Sequence, residues 1–142
     1  MARKGKKGGF KVVPHTAEVA VEASGATWEE FFQAAGRGLL SLYAPAGAPG
    51  PTQRRGLKLT ADSAEELLVA WLNELIYLVS GGKWLPSKIT VKAAHPNELT
   101  AELEGAPLEG MTLSREIKAA TFGGLHIKKT ASGWSAVVIL DV

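Results

Sequence analysis

The sequence predicts an α+β domain, two helices packed on a mostly antiparallel sheet. Three observations carry that prediction. Apolar residues switch along the chain between a spacing of two and a spacing near 3.6. Two capping boxes, Thr27-Trp28-Glu29-Glu30 and Ser63-Ala64-Glu65-Glu66, each open an apolar-striped segment. The 142 residues, 46% hydrophobic and 21% charged, are enough for one core and too few for a second.

The elements follow in order. Phe10 to Val13 is a short apolar strand stopped by Pro14, and Glu18 to Ala23 alternates with Val19, Val21 and Ala23 on one face. The corner Pro14-His15-Thr16-Ala17 joins them. Thr27 caps a helix whose stripe is Trp28, Phe31, Phe32, Ala35, Leu39 and Leu42, and the Pro- and Gly-rich run Ala44 to Pro51 ends it as a loop. Arg54 to Ala61 reads as a third strand. Ser63 caps a second helix carrying Leu67, Leu68, Trp71, Leu72, Leu75, Ile76 and Val79 as far as Gly81-Gly82; its wider arc predicts the deeper burial of the two. Ile89-Val91-Ala93 and Leu99-Ala101-Leu103 form a hairpin through His95-Pro96-Asn97, with Glu98, Thr100, Glu102 and Glu104 on its outer face. Ile117 to Phe122, Leu125 to Lys129 and Trp134 to Leu140 complete the sheet. The last strand is apolar on both faces, which predicts a central strand covered on both sides. Trp28, Trp71 and Trp134 lie on apolar stripes and are expected in the core, with Trp84 as a candidate exposed partner contact.

The net charge of +2 is a property of the N-terminus. Arg3, Lys4, Lys6 and Lys7 stand against a remainder of 12 basic and 14 acidic residues, so residues 1–9 read as a basic flexible tail and 10–142 as the domain. Such an arm can attract RNA weakly through counterion release, but a solvated, disordered terminus is the better reading. The absence of cysteine excludes a disulfide scaffold, a thiolate zinc site and a cysteine nucleophile. There is no apolar run long enough to span a bilayer and no signal-peptide pattern, so a cytoplasmic protein without a membrane partner is expected.

No familiar catalytic constellation is present, and His15, His95 and His126 fall on different elements. Two segments could carry chemistry. Pro14-His15-Thr16-Ala17-Glu18 gathers an imidazole, a hydroxyl and a carboxylate in one tight strand connection. At the other end, Asp141 follows an apolar strand and adjoins Val142, whose α-carboxylate would lie beside it. Carboxylates crowded at a strand end repel unless a cation neutralises them, and hard oxygen donors favour Ca²⁺, Mg²⁺ or Mn²⁺. By spacing alone a solvated strand end also accounts for Asp141, and nothing in the sequence brings Glu18 to it.

These segments resemble the archease family, small protein cofactors of the RNA ligase RtcB. The resemblance runs from Phe10 to Val142. It rests on Phe10 to Glu18, similar to the family's H-T-A-D segment; on Gly25 to Phe32 and Leu67 to Tyr77, similar to its two helices; and on Ile117 to Phe122 and Gly133 to Val142. It implies the archease fold and a non-catalytic role: promoting guanylylation and repeated turnover of the GTP-dependent ligase that joins 3′-phosphate RNA ends in tRNA splicing and RNA repair. RNA is then met only through the ligase. It also implies a divalent cation, Ca²⁺ foremost with Mg²⁺ or Mn²⁺ as alternatives, held by Glu18, Asp141 and Val142. Two departures stand out. Glu18 occupies the place of the family's usual Asp, and Gly123 follows Thr121-Phe122 where many members carry His, so that a tight bend at Gly123-Gly124 is expected.

Two other functions fit the composition less well. A metal-dependent hydrolase needs a base or nucleophile beside the ligands, and none is evident. A chaperone-like or RNA-binding module would rest on the basic tail, against the acidic balance of the body. Arg115 and Lys118 are the candidate basic contacts to ligase or RNA, and both also read as solvated strand residues.

Overall fold

Both helices begin where the capping boxes put them: α1 spans Trp28–Ser41 and α2 Ala64–Ser80 in the computed structural model, which describes residues 8–14 and 18–142. The Thr27 hydroxyl accepts the Glu30 N–H (3.1 Å), and the Glu30 carboxylate accepts the N–H of Ala26 (3.0 Å). Ser63 and Glu66 repeat the arrangement, with Asp62 as the reached donor. The first helix tightens over Leu42 and Tyr43 and ends as Ala44 turns to a φ of 39° before Pro45.

The strands are β1 (Gly9–Pro14), β2 (Glu18–Gly25), β3 (Ala46–Gly47), β4 (Gln53–Thr60), β5 (Trp84–His95), β6 (Glu98–Pro107), β7 (Met111–Thr112), β8 (Ala119–Thr121), β9 (Lys128–Thr130) and β10 (Gly133–Asp141). All pair antiparallel, and they divide into three sheets: β1-β2-β10-β8 with β9 also on β10, β4-β6-β5, and the small β3-β7 pair. The expected α+β class holds. The sheet is divided because α1 lies between its two larger parts, against β1 and β2 on one side and β5 on the other. Gly38 allows the approach: a Cβ there would stand 2.6 Å from Val21 Cγ1 and 3.0 Å from Phe10 Cβ. On the other side the Gln33 and Glu29 side chains accept the outward N–H groups of Val91 (2.8 Å) and Ala94 (3.3 Å), so the free edge of β5 bonds to a helix instead of a strand. Asn73 of α2 treats β8 in the same way, bonding both the N–H (2.8 Å) and the C=O (3.3 Å) of Ala120.

One core joins both sheets and both helices, with Phe31, Phe32, Trp71, Leu72, Leu99 and Leu140 fully buried and the Trp71 indole N–H donated to the Phe32 carbonyl (2.8 Å). The second helix does bury more large side chains, since the buried set of α1 includes Gly36 and Gly38. Among the described residues no helix is long and apolar enough to cross a membrane.

Five local expectations need correction. The Ala44–Pro51 loop contains β3, paired with β7. Ala93 is exposed, because a bulge between Val91 and Ala93 passes the buried position to Ala94. The strands expected over 117–122 and 125–129 shrink to β8 and β9, since the chain between turns at Phe122-Gly123-Gly124-Leu125, where Leu125 N–H reaches the Phe122 carbonyl (2.9 Å) and Gly124 takes a φ of 64°. The last strand is central but open on one face: Val138 and Leu140 are buried, whereas Val137 is 43% exposed and Ile139 half-buried. The tryptophans exchange places. Trp84, expected outside, is buried, because Lys83 at a φ of 53° turns it inward to bond Gln53 (2.9 Å) under the Arg55 guanidinium (4.2 Å from the ring). Trp28 and Trp134 are half-buried and stack on each other at 4.1 Å.

Candidate metal centre

Along β2 and β10 the apolar alternation sets the register, since Val19, Val21 and Ala23 must meet Leu140, Val138 and Ala136 on the face that packs into the core. That register puts Glu18 directly opposite Asp141 on the outer face. Side chains so placed have Cβ atoms about 4.5–5.5 Å apart. The two carboxylates that the sequence could not connect are therefore cross-strand neighbours.

The backbone around them is held firmly. Asp141 pairs with Glu18 on one side and Ala119 on the other, and its carbonyl accepts the Lys118 N–H (2.8 Å). The Val142 side chain is half-buried against the core, which anchors the residue that follows. Glu18 is exposed and Asp141 half-buried, so both can reach a solvated ion.

Like charges directly opposite on two strands destabilise the pairing. Elsewhere the protein answers its strand carboxylates with cations: Lys11–Glu22 (3.8 Å), Arg54–Glu104 (3.7 Å), Lys58–Glu98 (3.2 Å) and Lys92–Glu102 (3.8 Å). Among the described residues neither Glu18 nor Asp141 has such a partner. A pair of fixed oxygen donors without a counter-charge suits a hard divalent cation. Among the described residues no group of three or more Asp, Glu or His side chains gathers that could hold a metal ion.

The other candidates are placed more loosely. His15, Thr16 and Ala17, the rest of the first chemical segment, lie outside the described residues, as does the basic tail through Lys7. His95 ends β5 and His126 lies between β8 and β9; both are exposed, as are Arg115 and Lys118. What sequence reasoning missed is the apolar surface left open on the outer face at Val137 of β10, 43% exposed, and separately the exposed Phe122 just past β8. A signal was present: Lys11, Glu22 and Ser24 share that face, and polar residues there mark it as open.

Residues 10–142 match the model of the Archease protein family (MTH1598/TM1083). Two similar proteins are the Protein archease of Methanosarcina acetivorans, 32% identical with both chains covered completely, and that of Archaeoglobus fulgidus, 25% identical over 94% of this chain and 98% of its own. In fold the chain resembles the solution structure of protein 1598 of Methanobacterium thermoautotrophicum (TM-score 0.66, 24% identity, 94% of this chain and 99% of that one). It also resembles the crystal structure of a Thermotoga maritima archease described as a possible chaperone (TM-score 0.63, 22% identity, 93% and 96% covered).

Proposed function

The chain belongs to the archease family, and from that premise we propose that it is a non-catalytic activator of the RNA ligase RtcB. In this reading it promotes guanylylation and repeated turnover of the ligase in tRNA splicing and RNA repair, acting in the cytoplasm and meeting RNA only through the ligase. The observation that carries the reading is the Glu18–Asp141 register, two opposed carboxylates that no described cation answers.

Glu18, Asp141 and Val142 are the residues proposed to hold a divalent cation, Ca²⁺ foremost with Mg²⁺ or Mn²⁺ as alternatives. A bound cation would supply positive charge able to meet phosphate oxygens at the ligase's nucleotide site. The chain's own residues do the rest. The β2–β10 ladder sets Glu18 and Asp141 opposite each other, and Val142, which follows directly, is packed against the core. The relatives carry the name archease and not that of an enzyme, in keeping with a binding role.

The test is purified RtcB with GTP and labelled broken RNA, with and without this protein. Faster ligase guanylylation and multiple turnover are expected. Substrate consumed in the absence of ligase would replace the proposal with a hydrolase, and an unchanged ligase would overturn it. A peptide appended after Val142 should reduce metal-dependent stabilisation and activation, whereas the same peptide before Met1 should leave both.

A further inference from the structure

The three-stranded sheet has two edges, and among the described residues only one is occupied. The Ala61 N–H donates to the Asn97 carbonyl (3.1 Å), continuing the β4–β6 ladder and fixing its alternation. Arg55, Leu57 and Leu59 exchange their backbone bonds with β6, so Arg54, Gly56, Lys58 and Thr60 turn N–H and C=O outward. The same alternation on β5 turns Val91 and Ala94 outward, and there Gln33 and Glu29 of α1 accept both N–H groups. Among the described residues nothing meets the outward groups of β4.

The side chains say what could. Arg54 and Lys58 stand on the polar face of the sheet, and although paired with Glu104 and Glu98 they keep side-chain exposures of 80% and 66%. Arg55, Leu57 and Leu59 share the other face with the buried Leu103, Ala101 and Leu99. The strand β4 carries three cations and no acid. Two copies joined along this edge would set Arg54 and Lys58 of one opposite or diagonal to the cations of the other, which disfavours self-pairing. An incoming strand with acidic residues on one face and apolar residues on the other would meet charge with charge and Leu57 and Leu59 with apolar contact. β6 shows this complement at work on the inner flank, where Glu98, Glu102 and Glu104 alternate with Leu99, Ala101 and Leu103. At Gly56 a depression of about 160 Å³, bordered by Arg54, Lys88 and Glu102, leaves room for a side chain of the incoming strand.

We infer that the outer edge of β4 is a docking site for an extended acidic segment of a partner protein, which adds to the three-stranded sheet as a fourth strand. Backbone bonds to Arg54, Gly56, Lys58 and Thr60 give the affinity, and Arg54 with Lys58 selects acidic residues spaced four apart. The site is separate from the carboxylate pair, which lies on the other sheet.

The probe is an end-blocked octapeptide of alternating Glu and Val, titrated into the ¹⁵N-labelled full chain. Saturable amide shifts confined to β4 and its loops are expected, weakening as NaCl is added. Gly56→Pro removes one outward N–H at a position where an edge strand tolerates proline, and binding should fall at least tenfold. Lys58→Glu, an exposed change that spares the backbone, should weaken the Glu–Val peptide and strengthen a Lys–Val peptide. Shifts centred elsewhere, equal binding of both peptides to the unaltered chain, or no shift at millimolar peptide would overturn the assignment. So would a dimer in sedimentation that Lys58→Glu alters, because it would give the edge to a second copy.

Discussion

The two sheets flanking α1 handle negative charge in opposite ways. On the outer face of the three-stranded sheet Glu98, Glu102 and Glu104 each lie within 4 Å of a lysine or arginine. On the five-stranded sheet Glu22 has Lys11, whereas Glu18 and Asp141, at the end of the ladder, face each other. Both sheets are built from the same alternation over the same core, so folding does not require the difference. An uncompensated pair fixed by register costs stability, and a site that takes a cation from solution is a physical reason to keep it. The difference singles out the Glu18–Asp141 end of the ladder as the place for a cation, because the other strand carboxylates already have one among the described residues.

The largest effect on metal response and activation should come from removing that imbalance. Glu18→Gln or Asp141→Asn keeps shape and deletes one charge, so the metal-free melting temperature should hold or rise. Stabilisation by added Ca²⁺ or Mn²⁺, about 2.7 kcal/mol at a hundredfold excess over the dissociation constant, should shrink to a small fraction, and RtcB activation should drop tenfold or more. An unchanged calorimetric shift with metal would remove the altered residue from the site.

Leu140→Ala sharpens the comparison by changing the ladder and sparing the charges. Leu140 is fully buried next to Asp141, and loss of its side chain should cost roughly 2–5 kcal/mol in urea denaturation. Glu18 and Asp141 stay opposed, so metal should still raise the melting temperature of the variant. If that response disappeared with the packing, the pair would depend on Leu140 as much as on charge.

Tyr43 offers a third treatment of an acidic group, by burial. Its hydroxyl has no hydrogen-bond partner among the described residues, and desolvation followed by the nearby Glu116 pushes its pKa up to about 12. The unfolded chain releases this proton from about pH 10. Folding stability is therefore full below pH 10 and falls until the pH passes about 12. The loss should be roughly 1–3 kcal/mol. Tyr43→Phe should flatten that alkaline limb and leave stability at pH 7 equal or higher, as pH-dependent denaturation curves would reveal; an unaltered limb would assign the loss to other groups.

The smallest effect belongs to the balanced sheet. A double-mutant cycle on the exposed Lys58 and the half-buried Glu98 should return a coupling of about 0.2–1 kcal/mol, weakening with salt. A coupling several times larger would show that this face is under structural load and would blunt the contrast with Glu18 and Asp141.

Much of this was legible in sequence because it is local. The capping boxes at Thr27 and Ser63 place both helix starts within four residues of chain, and the alternation of β2 and β10 follows from side-chain period alone. The acidic segment ends were likewise visible as Glu18 and Asp141. Long-range geometry was not. That Val137 faces solvent while Val138 is buried, that Ala94 replaces Ala93, and that Trp84 turns inward depend on which sheet, bulge or turn each residue meets.

What the sequence by itself determined is the set of elements, their faces and the residues able to bear charge, because propensity, capping and period act within a few residues. Only the tertiary structure decided that the strands divide into separate sheets around α1, that Gln33, Glu29 and Asn73 seal strand edges while β4 stays open, and that Glu18 and Asp141 stand opposite each other. These outcomes join residues tens to more than a hundred positions apart. Their register is set by the packing of Val19 and Val21 with Leu140 and Val138 in one shared core, and that packing exists only once the chain has folded.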